Sequence, residues 1–138
     1  MKTWHLTYSL VWVAFFDILL GLFSPSGNPL IIPVHAVVGL LIVGLAFDIQ
    51  RRVGRSECPP RIKRITRTTW YLALLQLILG ALLAGASSIS LGGIAMTLII
   101  LIHAANALAI VTQASSSATA FDMWEEKEFA PITPASPS

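Results

Sequence analysis

Four runs of the chain, roughly residues 4–23, 30–47, 69–85 and 93–112, are apolar over the length needed to cross a bilayer. Hydrocarbon offers no partner to a backbone N–H or C=O, so a run of about 18 or more apolar residues inside it must satisfy its own backbone as a helix. Composition agrees, with 55% of the 138 residues hydrophobic and only 12% charged. The expected fold is an all-α membrane protein: a four-transmembrane-helix bundle over residues 1–118, then an acidic, Pro/Ser-rich tail over 119–138. The first run is longer than a signal-peptide core and is interrupted by Asp17. It lacks a small-residue cleavage pattern at Phe23-Ser24-Pro25-Ser26, and is read as a helix. Cys58 is the only cysteine, which leaves helix packing and any cofactor to hold the fold.

The charges set the expected orientation. Seven of the nine Lys and Arg residues fall between Gln50 and Arg67. The positive-inside rule places that basic loop, and with it both termini, in the cytoplasm of a prokaryotic plasma membrane. Topology accounts for the charge, so no nucleic-acid partner is expected. The breaker-rich Ser24-Pro25-Ser26-Gly27-Asn28-Pro29 makes helices 1 and 2 antiparallel neighbours, with Pro29 and Pro33 at the start of helix 2, where a missing amide proton costs least. Residues 86–93 form the second outer connection. Trp4, His5, Tyr8 and Trp12 read as an interfacial aromatic belt, and Trp70 and Tyr71 mark the same interface on helix 3. The tail, with Phe121, Trp124 and Phe129 among acids, has the composition either to dock on the basic loop or another subunit or to stay unstructured.

Polar residues inside the apolar runs are the functional candidates, because an ionisable side chain in hydrocarbon is costly without a partner. Asp17, His35, Gln76 and His103 are the main ones. The run Val34-His35-Ala36-Val37-Val38-Gly39-Leu40 returns as Ile102-His103-Ala104-Ala105-Asn106-Ala107-Leu108. Phe16-Asp17-Ile18-Leu19-Leu20-Gly21 likewise lines up with Leu75-Gln76-Leu77-Ile78-Leu79-Gly80. This 2+2 internal repeat implies a pseudo-two-fold axis along the membrane normal, which brings the two histidines to similar depth on opposite sides of the bundle centre. A rise of about 1.5 Å per residue puts His35 about 8 Å and His103 about 15 Å below their helix starts, a mismatch that a later start of the fourth span would remove. Gly80 and Ala84 read as a small-residue packing face, and Gln76 as an interhelical hydrogen-bonding residue.

Two opposed histidines in an apolar bundle are the axial ligand set of a haem that carries electrons without binding oxygen. Gly39 and Ala107, one turn along each histidine face, leave room for the macrocycle, and Asn106 is placed to bond a haem substituent. Each imidazole's second nitrogen is expected to donate to the carbonyl one turn earlier, of Ile31 or Ile99. No further His, Cys or carboxylate set accompanies the pair, which argues against zinc or copper. The bland alternative is that each histidine makes an interhelical hydrogen bond in a cofactor-free structural subunit, packing through Gly21, Gly80 and Gly85.

The Leu75–Leu82, Val34–Leu40 and Ile102–Leu108 segments together resemble one four-helix half of the haem A synthases. The resemblance covers helices 1 to 4 and not the tail. It implies a four-helix bundle whose second and fourth helices carry haem-ligating histidines, and so assigns that role to His35 and His103. The family's Glu-x-x-His-Arg motif would need Glu at position 32 and Arg at 36, where this chain has Ile32 and Ala36. The cysteine pair of the family's first outer loop is also missing. What the resemblance retains is the haem cradle, and what it lacks is the acid associated with methyl oxidation, unless Asp17 takes its place in space. The reading is a bis-histidine haem b protein passing electrons, as a small subunit of a respiratory membrane complex or a homo-oligomer. A compact haem A synthase-like enzyme is the alternative that keeps the family's chemistry.

Overall fold

A computed structural model describes residues 3–23, 29–88 and 93–128. They form four helices: α1 (Thr3–Phe23), α2 (Ile31–Arg55), α3 (Pro60–Ser88) and α4 (Ile94–Glu128). Each packs against two neighbours, α1 and α3 both lying against α2 and α4, so that α1 faces α3 and α2 faces α4 across the centre. All four contain stretches long and apolar enough to cross a membrane. The chain is a four-helix integral membrane protein. Its outer surface carries Trp12, Phe16, Leu22, Val37, Ile78 and Leu101, all exposed. Such a surface would be an association hazard in water and is matched by lipid tails.

The buried stripes have the spacing of a bundle seam. Ile42, Ala46, Ile49 and Val53 on α2 are matched by Ile62, Thr66, Thr69 and Ala73 on α3. Both follow i, i+4, i+7, i+11, which keeps one face toward the partners over three turns. Leu6, Leu10 and Ala14 on α1 and Ile110, Ala114, Ala118 and Phe121 on α4 complete this core. It fills the end of the bundle nearest the basic turn. At the other end α2 and α4 have no fully buried residue, from Ile31 to Leu41 on the one and from Ile94 to Ala105 on the other.

Helix ends differ from the sequence expectation at the basic end. Most of the Gln50–Arg67 segment is helical, and only residues 56–59 turn the chain. There Ser56 donates to the Val53 carbonyl through both its amide (3.2 Å) and its hydroxyl (2.9 Å), closing α2. Pro60 opens α3, where its missing N–H costs nothing. The fourth helix, expected to end near Thr112, runs on to Glu128, so the described part of the 119–138 tail is helix. Loss of apolar character marks the exit from hydrocarbon but does not end a helix. Ala114, Ser117, Ala118 and Phe121 continue the buried stripe, and Ala114 and Phe121 belong to one core cluster with Val53, Cys58 and Ile62 of the α2–α3 hairpin. At about 1.5 Å per residue, the 35 residues of α4 span about 52 Å, well beyond a hydrocarbon core of about 30 Å. Of the expected outer connections, 24–29 and 86–93, residues 24–28 and 89–92 lie outside the described residues, as does the Pro/Ser-rich end at 129–138, while 86–88 continue α3 rather than leave it. Gly93, just before α4, holds φ at +74°, a conformation that side chains resist, and its carbonyl accepts from the Thr97 amide at 3.3 Å.

Phe121 anchors this extension, buried to 3% exposure with its ring 5.3 Å from that of Trp124. Phe121→Ala is expected to cost roughly 3–5 kcal/mol of stability. A chemical unfolding titration in detergent followed by circular dichroism measures it, and the polar site at the far end should be unaffected.

Candidate functional site

In the half of the bundle away from the basic turn, His35 on α2 and His103 on α4 face each other across the centre. Their ring centroids are 6.1 Å apart, with the ring planes 69° from parallel. The nominal depth mismatch does not separate them. His35 is four residues into α2 and His103 nine into α4, so α4 begins about 8 Å further from the centre.

Each imidazole is held from the preceding helix. His35 Nδ1–H donates to the backbone carbonyl of Asp17 at 3.2 Å. The Asp17 side chain is closer, with Oδ1 2.8 Å from the same nitrogen but without an aligned hydrogen bond. His35 Nε2 makes no hydrogen bond among the described residues. On the opposite side the Gln76 amide stands 3.1 Å from His103 Nε2. Asn106 fixes its orientation by donating to Gln76 Oε1 at 2.7 Å and to the Leu72 carbonyl at 3.0 Å. Gln76 therefore presents N–H to His103, and His103 Nδ1 is left buried without a partner.

The two halves repeat this arrangement. Asp17 and Gly21 are four apart on α1, as are Gln76 and Gly80 on α3. A methyl group placed on Gly21 would lie 3.5 Å from Cε1 of His35, and one on Gly80 3.5 Å from Cε1 of His103. Each histidine thus packs over a bare glycine Cα with a polar residue one turn before it. The sequence alignment of residues 16–21 with 75–80 contains this correspondence. Read as a packing face, however, Gly80 gave no sign of lying beneath a ring.

Two expectations change. The second nitrogens do not go to Ile31 or Ile99, whose carbonyls serve their own helices. His35 Nδ1 meets Asp17 instead, while at His103 it is Nε2 that meets Gln76 and Nδ1 has no partner. Both donor contacts of Asn106 are spent inside the protein, so it orients Gln76 rather than reaching for a ligand. Asp17, read as a residue that could approach His35 from helix 1 in place of the missing acid, does stand against it, at 2.8 Å. Gly39 and Ala107 are half-buried, and a methyl on Gly39 would meet nothing within 4 Å, so the space beside His35 is open. His5 lies exposed at the start of α1, its ring centroid 3.7 Å from that of Trp4, and takes no part.

Among the described residues no three His, Cys, Asp or Glu side chains gather as a metal ion would need. A haem iron makes a different demand, because its equatorial ligands come with the macrocycle and the protein supplies only the axial pair. With a metal–imidazole nitrogen distance of about 2 Å, two rings on opposite sides of one metal have centroids roughly 6 Å apart. The 6.1 Å centroid separation of His35 and His103 is close to that value. No family model, curated protein or solved structure matches the chain.

Proposed function

We propose that this chain is a bis-histidine b-type haem protein of the membrane, with His35 and His103 as the axial pair. It passes electrons as a small subunit of a respiratory complex. The observation that carries the reading is the pair of imidazoles facing each other at 6.1 Å in the half of the bundle where α2 and α4 have no fully buried residue. A haem there supplies one-electron chemistry with both axial positions taken, which excludes oxygen binding.

The chain's own residues do the rest. The Asp17 carbonyl holds the His35 proton on Nδ1 and leaves Nε2 in the ligating form. At His103 the Nε2 lone pair is held by Gln76, and ligation requires that hydrogen bond to be given up, a cost of about 1 kcal/mol. The basic turn lies in the cytoplasm on the positive-inside argument, which puts the site in the outer half of the membrane. The absence of Glu at position 32 and Arg at 36 weighs against a haem A synthase activity. A co-expression with a haem O source that yielded haem A would reverse that judgement.

A second reading has its own observation. Asp17, Gln76 and Asn106 already give the histidines partners, as a cofactor-free scaffold would need. Purification in detergent from haem-sufficient cells, followed by reduced-minus-oxidised and pyridine-haemochrome spectra, separates the two. One haem b per chain is expected. A colourless protein that also fails to take up added haem supports the scaffold.

A further inference from the structure

We propose that the outer crevice between α2 and α3, at the basic end, binds the headgroup phosphate of an anionic glycerophospholipid, independently of what lies between the histidines. Gln50, Gly54, Pro60, Lys63, Arg64 and Arg67 line a cleft of about 250 Å³ there. Gly54 leaves its floor bare, since a methyl on it would meet nothing within 4 Å. Lys63 reaches across from α3, its ammonium 3.5 Å from the Gly54 carbonyl. The charge in the cleft is uncompensated. Asp48 on α2 is paired with Arg52, 2.8 Å away, and no carboxylate among the described residues pairs with Lys63, Arg64 or Arg67. Cations gathered in a concave site focus their field on one anion, and the planar arginine fork grips phosphate oxygens in pairs.

The wall that continues from the cleft selects a lipid. Phe47, Gln50 and Gly54 follow i, i+3, i+7 on α2, and Arg64, Arg67 and Tyr71 do the same on α3, so each side of the cleft leads along one helix face to an aromatic ring on the membrane side. Phe47 and Tyr71 are exposed. The Phe47 ring lies 5.8 Å from that of Trp70, which lies 5.1 Å from that of Tyr71, so the rings form one apolar surface across the two helices. A free phosphate gains nothing from that surface, whereas a lipid lays its acyl chains along it with its phosphate at the level of the cations. On the positive-inside argument the cleft faces the cytoplasmic leaflet, where anionic lipids are found. A zwitterionic headgroup would bring its own cation into a site with no acid to receive it, so the cleft favours a lipid of net negative charge.

Native mass spectrometry of the full chain in neutral detergent, titrated with phosphatidylglycerol or with phosphatidylcholine, tests this. One phosphatidylglycerol per chain is expected to bind in preference to phosphatidylcholine. Arg64→Gln/Arg67→Gln should weaken its binding about thirtyfold. Gly54→Leu, which fills the floor without changing the charge, should weaken it about tenfold. The control Arg51→Gln/Arg55→Gln removes the same charge outside the cleft and should cost no more than about threefold. Circular dichroism spectra matched across the series verify the fold, and Gly54→Leu decides alone if the arginine variant does not fold. Equal binding of the two lipids, equal losses in the two arginine pairs, unchanged binding in Gly54→Leu, or displacement of the lipid by millimolar inorganic phosphate would each overturn the proposal.

Discussion

His103→Ala is expected to give a folded, membrane-inserted protein with no b-type spectrum, and His35→Ala the same loss with a larger drop in stability. On the proposed haem reading each removes one of two ligands, and a haem left with a single imidazole would lose the clamp between α2 and α4. The structural costs differ because the two partners differ. Without His103, the Gln76 amide loses an acceptor, a penalty of about 1–3 kcal/mol. Without His35, the Asp17 carboxylate is left buried beside nothing of opposite polarity. That costs more than the about 1–3 kcal/mol of a neutral group, because the group left without a polar neighbour is a carboxyl. The core at the basic end, from Leu6 to Phe121, touches neither histidine and keeps the helices together. Haem-to-protein ratios and unfolding curves measured on the same preparations separate loss of ligation from loss of fold.

The glycines beneath the rings should discriminate by size. At 3.5 Å an added methyl makes ordinary contact with Cε1, so Gly21→Ala and Gly80→Ala are expected to keep the haem. Leucine at either place drives further carbons into the imidazole and turns it from its ligating direction. Gly80→Leu is expected to lose the haem and to cost about 1–3 kcal/mol from overpacking. Haem content across the Gly, Ala and Leu series checks this. A Leu variant with full haem content would show that the ring does not depend on the space beneath it.

The membrane class and the number of helices were legible because they follow from one quantity, the length of uninterrupted apolar sequence. The helix ends were not. Arg51, Arg52, Arg61 and Lys63 signal the exit from lipid, yet helical hydrogen bonding continues through them, since the periodic stripe that sustains it is carried by Ile49, Val53 and Ile62. In the same way Ala114, Ser117 and Phe121 keep α4 helical through a stretch whose mean polarity reads as a tail. At the site, the internal repeat contained the pairing of Asp17 with His35 and of Gln76 with His103. Reading each histidine along its own helix toward Ile31 and Ile99 concealed it. The deciding physics lies between helices: a polar group in an apolar bundle goes to whichever neighbour also lacks a partner, and that neighbour is rarely close in sequence.

Low-temperature electron paramagnetic resonance of the oxidised protein tests most directly whether one iron is held by both imidazoles. Two imidazoles that bound one iron with their ring planes 69° apart would not single out one of its π-type orbitals, which would then be nearly degenerate. The expected result is a single, strongly anisotropic low-spin ferric signal that disappears in His35→Ala and in His103→Ala. A high-spin ferric signal, or no haem signal from protein saturated with haem, would contradict the account.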